Sequence, residues 1–410
     1  MIDFLWECGS LLLRWLHIVA AMAWIGSSFF FMHLDASLRK TAEIPASEGA
    51  AAWQVHGGGF YEMRKYFVAP GHLDPHLTWH KWQSYSTWLS GFVLIAWIYY
   101  AQASLYLIDP AVRDISPAVA SGIGVGALAA GWLVYDLTCR SPLGRNEGTL
   151  AIVGLAFVTL AAYGFANVFS ARGALIHTGA LMATWMAGNV FLVIIPNQRK
   201  VVAALLDHRP PDPALGKQAK QRSAQNNYLT LPVILLMISN HYPFLFAGKE
   251  TLPLIVALAT VAGALVRYFY NVRHADHERS PWWAWGAAAA VLAGAFALAL
   301  STSPLGRRIL DTASAGTHPR LELASASPPE EVVGIVLSRC SMCHASEPLW
   351  DGIAIAPKGV HLDDAAAIAR QVAAIRYQAV DTHNMPPNNL TGITDEERDV
   401  LAAWARTDRR

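Results

Sequence analysis

Charge is scarce in this chain. Only 15% of its 410 residues are Asp, Glu, Lys or Arg, while 54% are hydrophobic. A soluble chain of this length carries more charge, so several membrane spans are expected. A formal net charge of +1 provides no basic footprint, so no nucleic-acid partner is expected. Cysteine is scarcer still: Cys8, Cys139, Cys340 and Cys343 are the whole complement, too few and too dispersed for a disulfide framework. Met1-Ile2-Asp3-Phe4 lacks the basic n-region of a signal peptide, so the first apolar helix is expected to be retained.

Apolar runs of spanning length fall at 10–34, 80–105, 117–138, 149–169, 174–195, 226–246, 251–270 and 281–300. The expected fold is therefore all-α, with an eight-helix transmembrane bundle over residues 1–300. Loops after odd-numbered helices carry fourteen Lys and Arg, from Arg39 and Lys40 through Lys217, Lys220 and Arg222 to Arg279. Loops after even-numbered helices carry three, Arg113, Arg172 and Lys249. This positive-inside bias puts both termini on the outer face, the periplasm of a Gram-negative bacterium. In the long inner loop, Phe60–Tyr66 reads as a short interfacial helix. Asp74-Pro75 reads as the start of the second span. The polar stretch 196–222, broken by Pro210-Pro211-Asp212-Pro213, reads as a solvated connector.

The strongest motif lies near the far end. Cys340-Ser341-Met342-Cys343-His344 is C-x-x-C-H, the attachment signature of covalent haem c. Two thiols one turn apart form thioethers with the haem, and His344 supplies the proximal nitrogen. Met385, in a Met-Pro loop about forty residues on, is the candidate distal ligand, a pairing that suits electron transfer. Residues 301–326 have linker composition. In 327–410, Ser327-Pro328-Pro329-Glu330 and Thr394-Asp395-Glu396-Glu397 read as capping boxes opening two helices, with another near 363–377. This tail resembles a small class I cytochrome c. The resemblance implies that Gly334 and Trp404 let its terminal helices cross closely.

Ionisable residues inside spans are costly, so each is a functional candidate. His17, His177 and His241 are expected near the outer side. Arg14, three residues before His17, shares its face. Nearer the inner side are His33, Asp35, His76, His80, Lys81, Asp136 and Arg267, of which His33, Asp35, Asp136 and Arg267 fall close to span ends and read equally as interfacial anchors. His76 and His80 would share a helical face, a weak metal signal. His17 and His33 lie about 24 Å apart along an ideal helix but about 160° around it, which argues against two haems stacked on that helix. A haem b between His17 and His177 or His241 stays open. A faint echo, His17 before Trp24-Ile25-Gly26 and His177 before Trp185-Met186-Ala187-Gly188, would place the two histidines equivalently.

Leu16-His17-Ile18 with Trp24-Ile25-Gly26, Trp79-His80-Lys81-Trp82-Gln83-Ser84-Tyr85, and Asn226-Asn227-Tyr228-Leu229-Thr230-Leu231-Pro232 with Ser239-Asn240-His241 carry a wider resemblance. Together with the haem motif they resemble the bacterial membrane-bound urate oxidases, which join eight helices to a C-terminal cytochrome c. That resemblance implies oxidation of urate to 5-hydroxyisourate. The electrons would pass through the c-haem to a respiratory acceptor, a cytochrome c or terminal oxidase, and no hydrogen peroxide would form. The family often carries an acidic residue where this chain has Gln83, so position 83 is not assigned as a base. Histidine suits the acid–base role, and Trp24, Trp79 or Trp82 suit the walls of a purine pocket. One unassisted electron hop across a core of about 30 Å would be too slow, so the pocket is expected near His17, His177 and His241 unless a membrane cofactor relays electrons. The alternatives are an electron-relay subunit, a dehydrogenase for another substrate, or a transporter, whose broken helices should recur in corresponding halves.

Overall fold

The computed structural model describes residues 2–41, 49–66, 74, 76–246, 248–276, 279–303, 306, 327–351, 353 and 355–405. The first unit is a helical bundle. Its long helices are α1 (Ile2–Ser37), α2 (Trp82–Ile95), α4 (Pro117–Arg140), α5 (Glu147–Ala166), α6 (Ala171–Gly188), α8 (Pro213–Ile238), α9 (Leu252–Ala275) and α10 (Trp283–Thr302). Short α3 (Ala103–Tyr106) follows α2, and α7 (Ile195–Leu206) continues α6. Six stretches are long and apolar enough to cross a membrane: Leu5–Ser37, Pro117–Arg140, Glu147–Ala166, Ala171–Leu206, Leu252–Ala275 and Trp283–Thr302. This is a multi-pass membrane protein. The second and sixth expected spans are also helical but differ in kind. α2 widens into a π-turn over Ala96–Tyr100, and the first half of α8 is polar.

Local chemistry sets the helix starts. Ser116, Asn146, Ser170 and Asp212 each accept a hydrogen bond from a first-turn N–H, and Pro117 and Pro213 follow directly on two of these caps. A second π-turn, Asn189–Ile194, joins α6 to α7 without a break. The stretch expected to be a connector is therefore mostly helix, non-helical only around His208–Asp212. Lys217, Lys220 and Arg222 lie on α8, and Arg222 is wholly buried.

The inner loop differs most from expectation. Residues 60–66 form no helix; β1 (Gly49–His56) pairs antiparallel with β2 (Gly59–Tyr66). Gly57 and Gly58 both take positive φ, 59° and 79°, the geometry of a two-residue type I′ hairpin turn. That turn chemistry outweighs the interfacial look of the aromatics. α2 begins at Trp82, not at Asp74, and His76–Trp79 is not helical, so His76 and His80 do not share a helical face. Pro75 lies outside the described residues.

The core of the bundle packs Leu107, Phe169, Leu175, Met182 and Trp185 with less than 2.5% of each exposed. Trp185 stacks on Tyr135 at 4.6 Å and donates from Nε1 to Gly131 O. A Cβ at Gly188 would lie 1.7 Å from Trp132 Nε1. Gly188→Ala is expected to destabilise the bundle by about 1–3 kcal/mol, visible as a lower unfolding midpoint in detergent.

The second unit comprises α11 (Glu330–Arg339), α12 (Ser341–His344), α13 (Ala365–Arg370), α14 (Val372–Ile375) and α15 (Asp395–Trp404). Its core includes Val332, Val336, Ile368, Val380 and Leu401. The Thr394 capping box forms with Glu397 as expected. That at Ser327 does not: Pro329 is the N-cap, without a side-chain bond. Glu397 also takes a forked ion pair from Arg339, tying α15 to α11. A Cβ on Gly334 would meet nothing within 4 Å, so this glycine makes no close helix crossing. Residues 307–326, most of the expected linker, lie outside the described residues.

Candidate functional site

A cavity of about 1340 Å³ opens between α1, α2, α6, the end of α8 and, from the C-terminal unit, Trp350, Asp351, Ile353, Ile355, Pro357 and Lys358. Arg14, His17, Trp24 and His241 all line it. His177 does not. Its ring is fully buried against Tyr99, Tyr100, Phe165 and Phe169. Both its nitrogens have partners, Nδ1 at 2.8 Å from Gly173 O and Nε2 at 3.2 Å from Tyr100 Oη. A glycine is needed alongside it, since a Cβ at Gly124 would come within 2.8 Å of Nε2. The equivalence suggested by the echo with His17 is not realised in their surroundings.

His17 is held across the α1–α2 contact. Its Nδ1 lies 3.1 Å from Thr87 O and 3.2 Å from Ser90 Oγ. A carbonyl can only accept, so Nδ1 carries the hydrogen and Nε2 keeps its lone pair. Gly91 makes this possible, since a Cβ there would lie 2.7 Å from His17 Cε1. The π-turn 96–100 shapes the next layer. Trp97 stacks on Trp6 and donates to Ser10 Oγ, while Tyr99 Oη donates to Asn240 Oδ1 beside His241. π-turns widen a helix locally and often mark functional positions.

Arg172 is a cavity residue that its place among loop cations concealed. Ser170 caps α6 and is pinned to the end of α3 by bonds to Tyr106 O and Leu107 O, which brings Arg172 to the cavity. Its guanidinium lies 5.3 Å from the Phe246 ring centroid and 5.9 Å from that of Tyr106. Nη2 donates to Asn384 Oδ1 of the C-terminal unit at 2.5 Å. Of the inner ionisable residues, Asp136 and Arg267 are buried and paired rather than interfacial anchors.

The C-x-x-C-H turn is a separate centre. Cys340 and Cys343 are not disulfide-bonded, and burial pushes the Cys340 thiol up to about 11, away from the reactive thiolate of a redox C-x-x-C pair. His344 Nδ1 donates to Val360 O at 3.1 Å, and among the described residues Nε2 has no hydrogen-bond partner. Burial also holds its imidazole below the usual range, in the neutral form a metal requires. Met385 is fixed by its N–H to Gln378 O and by Arg398 Nη1 to its carbonyl. Two thiols, a bare imidazole nitrogen and a thioether fit the donor set of a covalent haem. This turn is tied closely to the cavity wall. Trp350, which lines the cavity, donates its N–H to Met342 O, and Val360 follows two residues after the wall residue Lys358.

The profile of the urate oxidase N-terminal family matches residues 3–299. The chain belongs to that family. No curated protein and no solved structure matches. The matched span contains every bundle residue of the cavity and stops short of the haem motif. Membership points to an oxidoreductase role in urate oxidation, with urate as the plausible substrate.

Proposed function

We propose that the chain is a membrane-bound urate oxidase that oxidises urate to 5-hydroxyisourate in the outer cavity and carries its own c-type cytochrome. The observation that carries this reading is the meeting of the two centres. The cavity holding Arg14, His17, Arg172 and His241 shares a wall with the C-x-x-C-H turn. Eight spans, with both termini and the cytochrome unit (residues 327–410) in the periplasm of a bacterial inner membrane, complete the arrangement. Cys340, Cys343, His344 and Met385 would hold the haem, which when bound supplies a one-electron couple.

The residues of the bundle do the rest. Urate is a flat anion at neutral pH, and Arg14 and Arg172 provide the cations that attract and orient it. Trp24, Trp88 and Tyr106 offer flat faces. Oxidation removes two electrons and one proton from the urate anion, and water then adds at C5. His17 Nε2 is the base positioned to take that proton, because Thr87 O holds the hydrogen on Nδ1. His241 and Asn240 also line the cavity. A respiratory acceptor, a cytochrome c or terminal oxidase, then receives the electrons.

The test is anaerobic. Oxidised purified protein mixed with urate is expected to develop reduced c-haem bands, with none for xanthine or allantoin. No reduction by urate would reject the reading and leave an electron-relay subunit. Gly91→Ala, which drives a methyl into the His17 ring, is expected to slow reduction about 10²-fold or more, the range that general-base loss spans. Unchanged kinetics in that variant would remove His17 from the mechanism.

A further inference from the structure

We propose that the C-terminal unit is a fixed wall of the substrate cavity and presents Trp350 and Lys358 to the bound anion. The proposal deepens the urate-oxidising reading and rests on it for the identity of that anion. Three observations carry it.

The first is anchorage. Asn388 Nδ2 donates both to Ile108 O at 2.7 Å and to Leu105 O at 3.1 Å, answering one carbonyl within α3 and one just beyond it. Asn384 accepts from Arg172, and the two units enclose a second cleft of about 290 Å³ there. The second is backbone shape. Lys358, His383, Asn388 and Asn389 all have φ between 50° and 59°, a left-handed conformation uncommon outside glycine. All four line one of the two spaces between the units. Such conformations persist only where surrounding contacts enforce them. The third is charge. Arg14, Arg172 and Lys358 stand against Glu7 and Asp351 around the cavity, one positive charge in excess, and Lys358 is the cation that the C-terminal unit adds. A monoanion matches that excess.

Cys8 is a built-in reporter. It is half-buried and lines the cavity, whereas Cys139 is buried and Cys340 and Cys343 would be consumed in thioethers. Full-length protein carrying its haem would be labelled with a maleimide, and urate affinity measured by equilibrium dialysis. Asn388→Asp sets a carboxylate against two carbonyl oxygens. It is expected to speed Cys8 labelling about tenfold and to weaken urate binding by a similar factor, the scale of one charge-linked hydrogen bond. Lys358→Ala is expected to weaken urate binding about tenfold while leaving the labelling rate as in wild type. Unchanged labelling in Asn388→Asp, with an intact haem spectrum, would overturn the docking. Unchanged urate affinity in both variants, where wild type binds urate, would overturn the wall's part in recognition. A wild-type protein that binds no urate would defeat the functional reading instead, while the Cys8 rates would still decide whether the wall exists.

Discussion

Replacing Cys340 and Cys343 together by serine is expected to reduce urate-dependent acceptor reduction to background while leaving urate binding in place. The two properties separate because the cavity's Arg14, His17, Arg172 and His241 belong to the bundle, whereas the thiols lie in the C-terminal unit. Serine cannot form the thioethers, so the electron acceptor is lost but not the anion site. Binding is read on the full chain, in membranes or detergent. Urate affinity within about tenfold of wild type, the share carried by the C-terminal wall, with no acceptor reduction, is the expected pair of results. Wild-type turnover by the serine variant would show that electrons leave by another route and would dismiss the cytochrome from the reaction.

Arg222→Ala is expected to destabilise the bundle by about 3–5 kcal/mol, the cost of breaking a buried ion pair from one side. The Arg222 side chain is completely buried, with Nη2 at 2.6 Å from Asp136 Oδ1 and Nη1 at 2.9 Å from Asn189 Oδ1. Its guanidinium also lies 5.1 Å from the centroid of Tyr135. Removing it strands the Asp136 carboxylate, which keeps only the half-exposed Arg140. Asn189 would lose a donor at the start of the π-turn. The loss of Arg222 is therefore expected to loosen α4, α6 and α8 together. Arg222→Met combined with Asp136→Asn is expected to cost less than Arg222→Ala alone, because no buried charge is left unpaired and the half-exposed Arg140 is solvated. Unfolding midpoints in mixed micelles measure both, and equal midpoints for wild type and Arg222→Ala would refute the assignment.

How much of this was legible depended on whether a residue's role was local. C-x-x-C-H is a local signal, since one helical turn determines which atoms meet, and the Thr394 capping box is another. The apolar runs were legible for the same reason: a span needs only its own side chains to satisfy lipid. Arg14, His17, Trp24 and His241 were legible as intramembrane polar or aromatic positions, and the structure brings these four to one cavity. His177 looked identical in sequence, yet packing against Phe165 and Phe169 and a bond to Tyr100 leave it outside. Arg172 and Arg222 show the reverse failure. Both counted as loop cations, but capping by Ser170 turns one to the cavity and Asp136 buries the other. Lys358 and Trp350 carry no motif at all; they gain meaning only through the docking of Asn388 more than two hundred residues from its partners. The hairpin was missed because the aromatics of β2 were weighed above the Gly57-Gly58 turn.

The length of α1 has a mechanical consequence. Its 36 residues make a rod of about 54 Å, against a hydrocarbon layer of about 30 Å. Neither end of the surplus is idle. Trp6, Glu7 and Arg14 form part of the cavity, and past the far end Arg39 pairs with Ala51 of β1 while Asp35 holds Lys65 of β2. The hairpin is carried by the rod, so α1 meets a thicker or thinner bilayer as one rigid unit. It can only tilt, and tilting moves the cavity mouth relative to α2 and α6. Lipid chain length is therefore expected to reshape the cavity mouth and shift urate affinity, with an optimum thickness set by α1.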